Sequence, residues 1–199
     1  TGGPRPQPVS TADLAATRKA LLEQIQADLK KRQIPAEVNA QEGTLYLPGL
    51  LEFKGETPEI GPEKRQGMRE LASVLAKHLP CFTQGASQVA GCAEVPPAVK
   101  LDALVIAGNA GPALVGTSTF RYNWNQANAR ALQTFSELLE SQPQLNEMRN
   151  TYEQSLFRLD GFLPAEGSPA SKQPPGKPVR RVELRFIMGP ASPASRPQQ

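Results

Sequence analysis

Arg130 is the residue around which chemistry is most readily built. It closes the run Tyr122-Asn-Trp-Asn-Gln-Ala-Asn-Ala-Arg130-Ala-Leu132, in a segment where Ala127, Ala131, Phe135 and Leu138 fall on one helical face. A guanidinium set at an apolar face leaves two roles open, closing a helix–loop contact as a structural residue and binding an anionic ligand. Just upstream runs Val105-Ile-Ala-Gly-Asn-Ala-Gly111, an apolar strand ending in a loop that holds Gly108 and Gly111. That loop is not a phosphate loop of the known kinds, because the Gly-Lys-Ser/Thr ending and the Rossmann glycine spacing are both absent. A second basic pair, Arg180 and Arg181, opens the last strand-like segment, and neighbours in a strand cannot face the same way.

Other chemistry-bearing residues are sparse. Phe120, Tyr122 and Trp124 flank Arg121. Two roles stand open for them, stacking on a sugar or base and anchoring the helix by packing. His78 is the single histidine, in the last turn of a predicted helix, where a positive charge is favoured or simply solvated. No nucleophile is paired with it in the sequence, so nucleophilic catalysis has no visible constellation. Cys81 and Cys92 share one loop between predicted elements. The expectation is a disulfide closing about a dozen residues and contributing about 2–3 kcal/mol, with two unrelated thiols as the alternative. Cys-x10-Cys with one distant histidine does not supply four metal ligands, so no metal and no cofactor are expected.

The elements that must position these residues are legible from pattern. Ser10 and Asp13 have capping-box spacing. Leu14, Leu21, Leu22, Ile25 and Leu29 follow on one face, Lys30 to Arg32 suit the end of a helix, and Pro35 stops it. Residues 36–40 and 44–47 read as a hairpin around Gln41-Glu-Gly43. Pro62 opens a second helix whose Met68, Leu71, Ala72, Leu75 and Leu79 make its buried stripe. Residues 101–107 form a central strand and 127–138 a third helix. Residues 144–155 read as a polar surface insertion, 156–162 as a strand, and 179–187 as a half-buried strand with Val182, Leu184 and Phe186 inward. The order after the first helix is strand, strand, helix, strand, helix, strand, strand. That predicts an α+β sandwich, a mixed sheet with helices on one face, plus the N-terminal helix. The expected core is Leu45, Met68, Leu71, Leu75, Leu104, Ile106, Phe135, Leu138, Leu159, Val182, Leu184 and Phe186.

The chain has 199 residues, 39% of them hydrophobic and 21% charged, with a formal net charge of +3. That excludes disorder of the whole chain and is compatible with one domain. The sequence pI near 9.0 favours anionic partners only mildly. No run of about 18 apolar residues is present to span a membrane. Prolines and glycines crowd the ends and residues 164–178. The expected organisation is a flexible tail at 1–9, the helix at 10–34, a domain at 36–188 and a second tail at 189–199. No signal peptide is visible, and Thr1 does not look like a natural start, so an excised part of a longer protein is expected.

The order of motifs from Gly43 to Met188 resembles the OmpA/MotB C-terminal-like family of bacterial envelope domains. Gly43-Thr-Leu-Tyr-Leu-Pro-Gly-Leu-Leu-Glu-Phe53 resembles its first strand and entry loop. The cysteine-bearing loop is similar to a variant in the MotB-like branch. Asn123-x-x-Gln126-Ala127-x-x-Arg130-Ala131 matches the helix pattern Asn-x-x-Leu-Ser-x-x-Arg-Ala at three positions, and Val179-Arg180-Arg181-Val182-Glu183 matches the closing Asn-Arg-Arg-Val-Glu except at Val179. The resemblance implies a non-enzymatic periplasmic domain that ties a membrane-tethered protein to peptidoglycan. It implies that Arg130 takes the carboxylate of diaminopimelate in the stem peptide, with Asn123 beside it and one of the two arginines in the groove. Where the family carries an aspartate for the ligand's ammonium, this chain has Gly111, and losing one partner of such a pair costs about 2–5 kcal/mol. Asp160 and Glu166 are the acids near enough in sequence to substitute, and both also read as ordinary exposed carboxylates. The implied partners are the stem peptide, an envelope or membrane protein, and a second copy through the first helix, with no nucleic acid. The alternative is a protein–protein interaction module that kept the fold and lost wall recognition. A wall-cleaving enzyme is a third and weaker reading.

Overall fold

The computed structural model describes residues 8–54, 57–85, 89–92, 98–163 and 180–191. Among them the chain forms three α-helices and five strands, in the order α1 (Thr11–Lys31), β1 (Glu37–Asn39), β2 (Thr44–Tyr46), α2 (Pro62–His78), β3 (Val99–Asn109), α3 (Ser118–Ser141), β4 (Phe157–Phe162) and β5 (Arg181–Pro190). The strands make one mixed sheet in the order β1-β2-β5-β3-β4. Only β3 and β4, joined through α3, run parallel. β5 inserts between β2 and β3, antiparallel to both.

The local causes are those the sequence offers. Ser10 accepts from the Asp13 N–H while Asp13 reaches back to the Ser10 N–H, so two donors at the start of α1 are satisfied together. Pro62 sits at the first turn of α2, where a missing N–H costs nothing. Thr117 caps α3 by accepting from Phe120. The inward faces of all three helices meet Leu45, Leu104, Ile106, Val182, Leu184, Phe186 and Met188 on one side of the sheet, in a single core. The α+β arrangement, with helices on one face and an added N-terminal helix, is therefore as expected.

α3 lies unusually close to β3. A Cβ built on Gly108 would sit 1.9 Å from the Ala127 carbonyl oxygen, so only glycine lets the helix rest against the strand there. α1 is tied to α2 by a buried carboxylate. Asp28 accepts from Lys77 at 2.6 Å and lies 2.8 Å from His78 Nε2. These partners hold its pKa well below the ordinary carboxylate value, the Lys77 bond contributing most and the His78 bond next. His78 is thus a partner in an inter-helix cluster, not a solvated end group.

Two expectations fail. Leu159, placed in the core by alternation, is 41% exposed, because among the described residues β4 is the edge of the sheet. The segment 144–155 is largely exposed, as a surface insertion should be, but it is anchored at two points. Leu145 is fully buried, and Asn150 donates to the Asp102 carbonyl at 2.9 Å, where the β3–β5 register shifts. Its Oδ1 also accepts from the N–H groups of Tyr152 and Gln154. The last strand also differs from the one expected at 179–187, since β5 spans Arg181–Pro190. The loop 164–178, the acid Glu166, Val179 and most of both tails lie outside the described residues.

Candidate functional site

Gly108 and the Thr117 cap fix where α3 starts and how closely it approaches the sheet. Tyr122, Gln126 and Arg130 then fall at i, i+4 and i+8 on one face, with Asn123 beside them. That face, the Ala110–Gly111 loop after β3, and Arg180 at the entry to β5 enclose a cavity of about 240 Å³. The sheet register explains the last contribution. Asn109 at the end of β3 is opposite Arg181 at the start of β5, so Arg180 comes beside the Gly111 loop.

Arg130 is the dominant feature. It is 2% exposed, the largest side chain so buried among the described residues. Its guanidinium carbon lies 5.9 Å from the centre of the Phe53 ring, within reach of a cation–π contact. Phe53 is positioned by the same backbone that carries Arg180, through the bond from the Phe53 N–H to the Arg180 carbonyl at 2.9 Å. Arg130 Nε is buried without a hydrogen-bond partner, and no carboxylate among the described residues pairs with the guanidinium. Burial, followed by the nearby Arg180 charge, depresses its pKa, while Tyr122 works the other way. An arginine stays charged through such a shift, so the cavity is cationic.

The remaining lining is neutral. Asn123 Nδ2 donates to the Gly111 carbonyl at 3.1 Å, which ties the helix head to the loop. Gln126 Oε1 is buried and has no hydrogen-bond partner. Gly111 lines the cavity as the resemblance implies, and it is not one of the glycines at positive φ. Asp160 does not supply the missing acid. It is exposed, and its neighbour Gly161 faces α3 at Asn128, so Asp160 points to the opposite side of the sheet.

The structure thus brings together four residues proposed from sequence, Arg130, Asn123, Gly111 and Arg180. Gln126 and Phe53 were not foreseen as part of the site. Gln126 was findable, standing four residues before Arg130 on the same helical face, whereas Phe53 arrives from a distant irregular segment. Arg181, the residue after Arg180, points the other way. It donates to Glu183 at 2.9 Å on the other face of the sheet. Tyr122 and Trp124 are partly exposed, and Phe120 stacks on Trp124 with ring centres 6.0 Å apart.

Cys81 and Cys92 are joined in a disulfide with Cα atoms 5.1 Å apart. The bridged loop borders a larger groove of about 600 Å³ against α1. That groove holds no comparable chemistry, since Lys77 and His78 in its lining are both engaged by Asp28. Among the described residues, no three His, Cys, Asp or Glu side chains cluster in a metal-holding arrangement, and no helix is long and apolar enough to cross a membrane.

No protein-family model and no curated protein matches the chain. Solved structures do match it. It is similar to a putative MotB-like protein from Desulfovibrio vulgaris at 14% identity, over 88% of this chain and 94% of that one, with a TM-score of 0.51. It is also similar to the cell wall anchor of the T6SS from Pseudomonas aeruginosa, at 18% identity over 83% and 96% of the two chains and a TM-score of 0.45. A third similarity is to the OmpA-like domain of FopA1 from Francisella tularensis, at 14% identity over 79% and 80% and a TM-score of 0.41. At these identities the first likeness shows a shared fold and nothing about ligands.

Proposed function

We propose that this chain is a non-catalytic periplasmic domain that holds an envelope protein to peptidoglycan, by gripping a carboxylate of the stem peptide in the Arg130 cavity. One observation carries this reading. A guanidinium withdrawn from water, opening into a cavity beside a second arginine, has no carboxylate partner among the described residues. A buried charge without a counter-charge costs several kcal/mol, and an anionic ligand is what offsets it. The motif resemblance around Asn123 and Arg130 points to a wall peptide as that anion, and it stands on a fold shared with the MotB-like protein from Desulfovibrio vulgaris. The Cys81–Cys92 disulfide is consistent with an oxidising compartment.

Co-sedimentation of the purified chain with isolated peptidoglycan tests it. The wild-type chain is expected to pellet with the wall at low ionic strength and to be released by salt. Arg130→Met is expected to stay in the supernatant while still melting cooperatively. Failure of the wild-type chain to pellet would favour the protein-interaction module instead. Pelleting that Arg130→Met leaves unchanged would place wall binding elsewhere on the molecule.

A further inference from the structure

We infer that the Arg130 cavity recognises an N-acylated α-carboxylate, the C-terminal residue of a peptide, and discriminates against a free α-amino acid head such as that of diaminopimelate. The inference rests on the anchoring proposal for the source of its ligand, but its chemistry comes from the cavity lining.

A free amino acid head brings a carboxylate and an ammonium on the same carbon. With the carboxylate on Arg130, the ammonium is held beside the Arg130 guanidinium, in the cavity that Arg180 also lines. Among the described residues the cavity lining of Ala110, Gly111, Tyr122, Asn123, Gln126, Arg130 and Arg180 contains no carboxylate to receive it, and Asp160 faces the other side of the sheet. A like charge in a partly dehydrated, cationic site is repelled strongly.

An acylated amino acid carries the same carboxylate with a neutral amide nitrogen in place of the ammonium. That nitrogen keeps one N–H, and a donor is what the Gln126 side-chain oxygen lacks. Gln126 Oε1 is a buried acceptor without a partner, four residues from Arg130 on the same helical face. The Gly111 carbonyl already accepts from Asn123. An anion for Arg130 and a neutral N–H for Gln126 together describe a peptide C-terminus. In the wall reading, this is the D-configured end of a stem peptide.

The test is a titration of the intact isotope-labelled chain, followed by backbone and side-chain NMR at low ionic strength. The probes are N-acetyl-D-alanine, N-acetyl-L-alanine, free D-alanine, diaminopimelate and acetate. N-acetyl-D-alanine is expected to bind at least tenfold more tightly than free D-alanine or diaminopimelate, and more tightly than acetate, with shifts at Gln126 and Arg130. Gln126→Met is expected to bring N-acetyl-D-alanine down to the level of acetate while leaving acetate unchanged. Free alanine or diaminopimelate binding as tightly as the acylated form would overturn the inference, as would a preference that Gln126→Met does not alter. If no fragment binds but the chain pellets with the wall in an Arg130-dependent way, the inference fails and anchoring stands. If the acylated fragments bind and the wall does not, anchoring fails and the inference stands. A preference for the L form then assigns the site to a protein C-terminus.

Discussion

Replacing Arg130 with methionine should make the protein more stable while abolishing anion binding. Methionine has similar reach, no branching and no charge, so it fills the space beneath α3 without forcing the backbone. The removed guanidinium is almost fully out of water and lies near Arg180, with no carboxylate partner among the described residues. Its compensation is the cation–π interaction with the Phe53 ring, worth about 0.5–2 kcal/mol. The bond from Thr134 to the Arg130 carbonyl belongs to the backbone and survives the change. Replacing buried charges by apolar groups of similar volume is typically neutral or stabilising by about 1–4 kcal/mol. Because methionine forgoes the cation–π attraction, a net gain of about 1 kcal/mol, and at most about 3, is expected. For a chain of this size about 1 kcal/mol corresponds to a melting temperature higher by roughly 2–4 °C. Urea denaturation of the two proteins side by side measures it, with Arg130→Ala as the control that leaves a cavity and so loses stability. A methionine variant as unstable as the alanine variant would refute the reasoning, because Arg130 would then be an internally satisfied structural residue and not a charge held open for a ligand.

Four further outcomes are expected. Gly108→Ala should destabilise by about 1–3 kcal/mol or more, since its Cβ would meet the Ala127 carbonyl oxygen at 1.9 Å; an unchanged urea midpoint would mean that α3 lifts from the sheet freely. Asp28 has a depressed folded pKa, so its stabilisation is complete above the unfolded value near 4 and is lost as pH falls through the lower folded value. Asp28→Asn should therefore cost about 1–3 kcal/mol at pH 7 and flatten the acid limb of the stability profile below about pH 4, and an unaltered limb would assign acid lability elsewhere. Paired Cys81→Ser and Cys92→Ser should lower stability by about 2–3 kcal/mol, and thiol titration of the unreduced, denatured protein should find almost no free thiol. Gly111→Asp should shift preference from acylated carboxylates towards diaminopimelate, measured in the same NMR titration, since position 111 is not at positive φ and a carboxylate there supplies the ammonium's partner.

Most of the scaffold is written in local pattern, and the exceptions share a cause. α1 and α2 are bounded by a capping box and by Pro62, which act within one turn of chain. What alternation cannot report is coverage from outside the strand. It puts Leu159 on the same side as Phe157, but only sheet order shows that β4 is an edge and leaves Leu159 in water. Asn150 and Leu145 sit in a polar stretch with no periodicity. The burial of Asn150 follows from a register shift at Asp102, 48 residues earlier. His78 finds Asp28 across a similar separation.

The candidate site divides along the same line. Its helical half is legible, because Tyr122, Gln126 and Arg130 share a face by spacing alone. Its other half depends on a topological fact with no local signature, that the last strand inserts in the middle of the sheet. With β5 between β2 and β3, Asn109 lies opposite Arg181, and Arg180 must come beside the Gly111 loop. The same insertion lets the Arg180 carbonyl take the Phe53 N–H, which sets an aromatic ring under Arg130. Had β5 joined at the edge beyond β4, Arg130 would have kept its place on α3 with neither the second cation nor the ring. The cationic character of the cavity is therefore a property of strand order as much as of the arginine itself. This is why a charge recognisable in one helix needs the whole sheet to become a binding site.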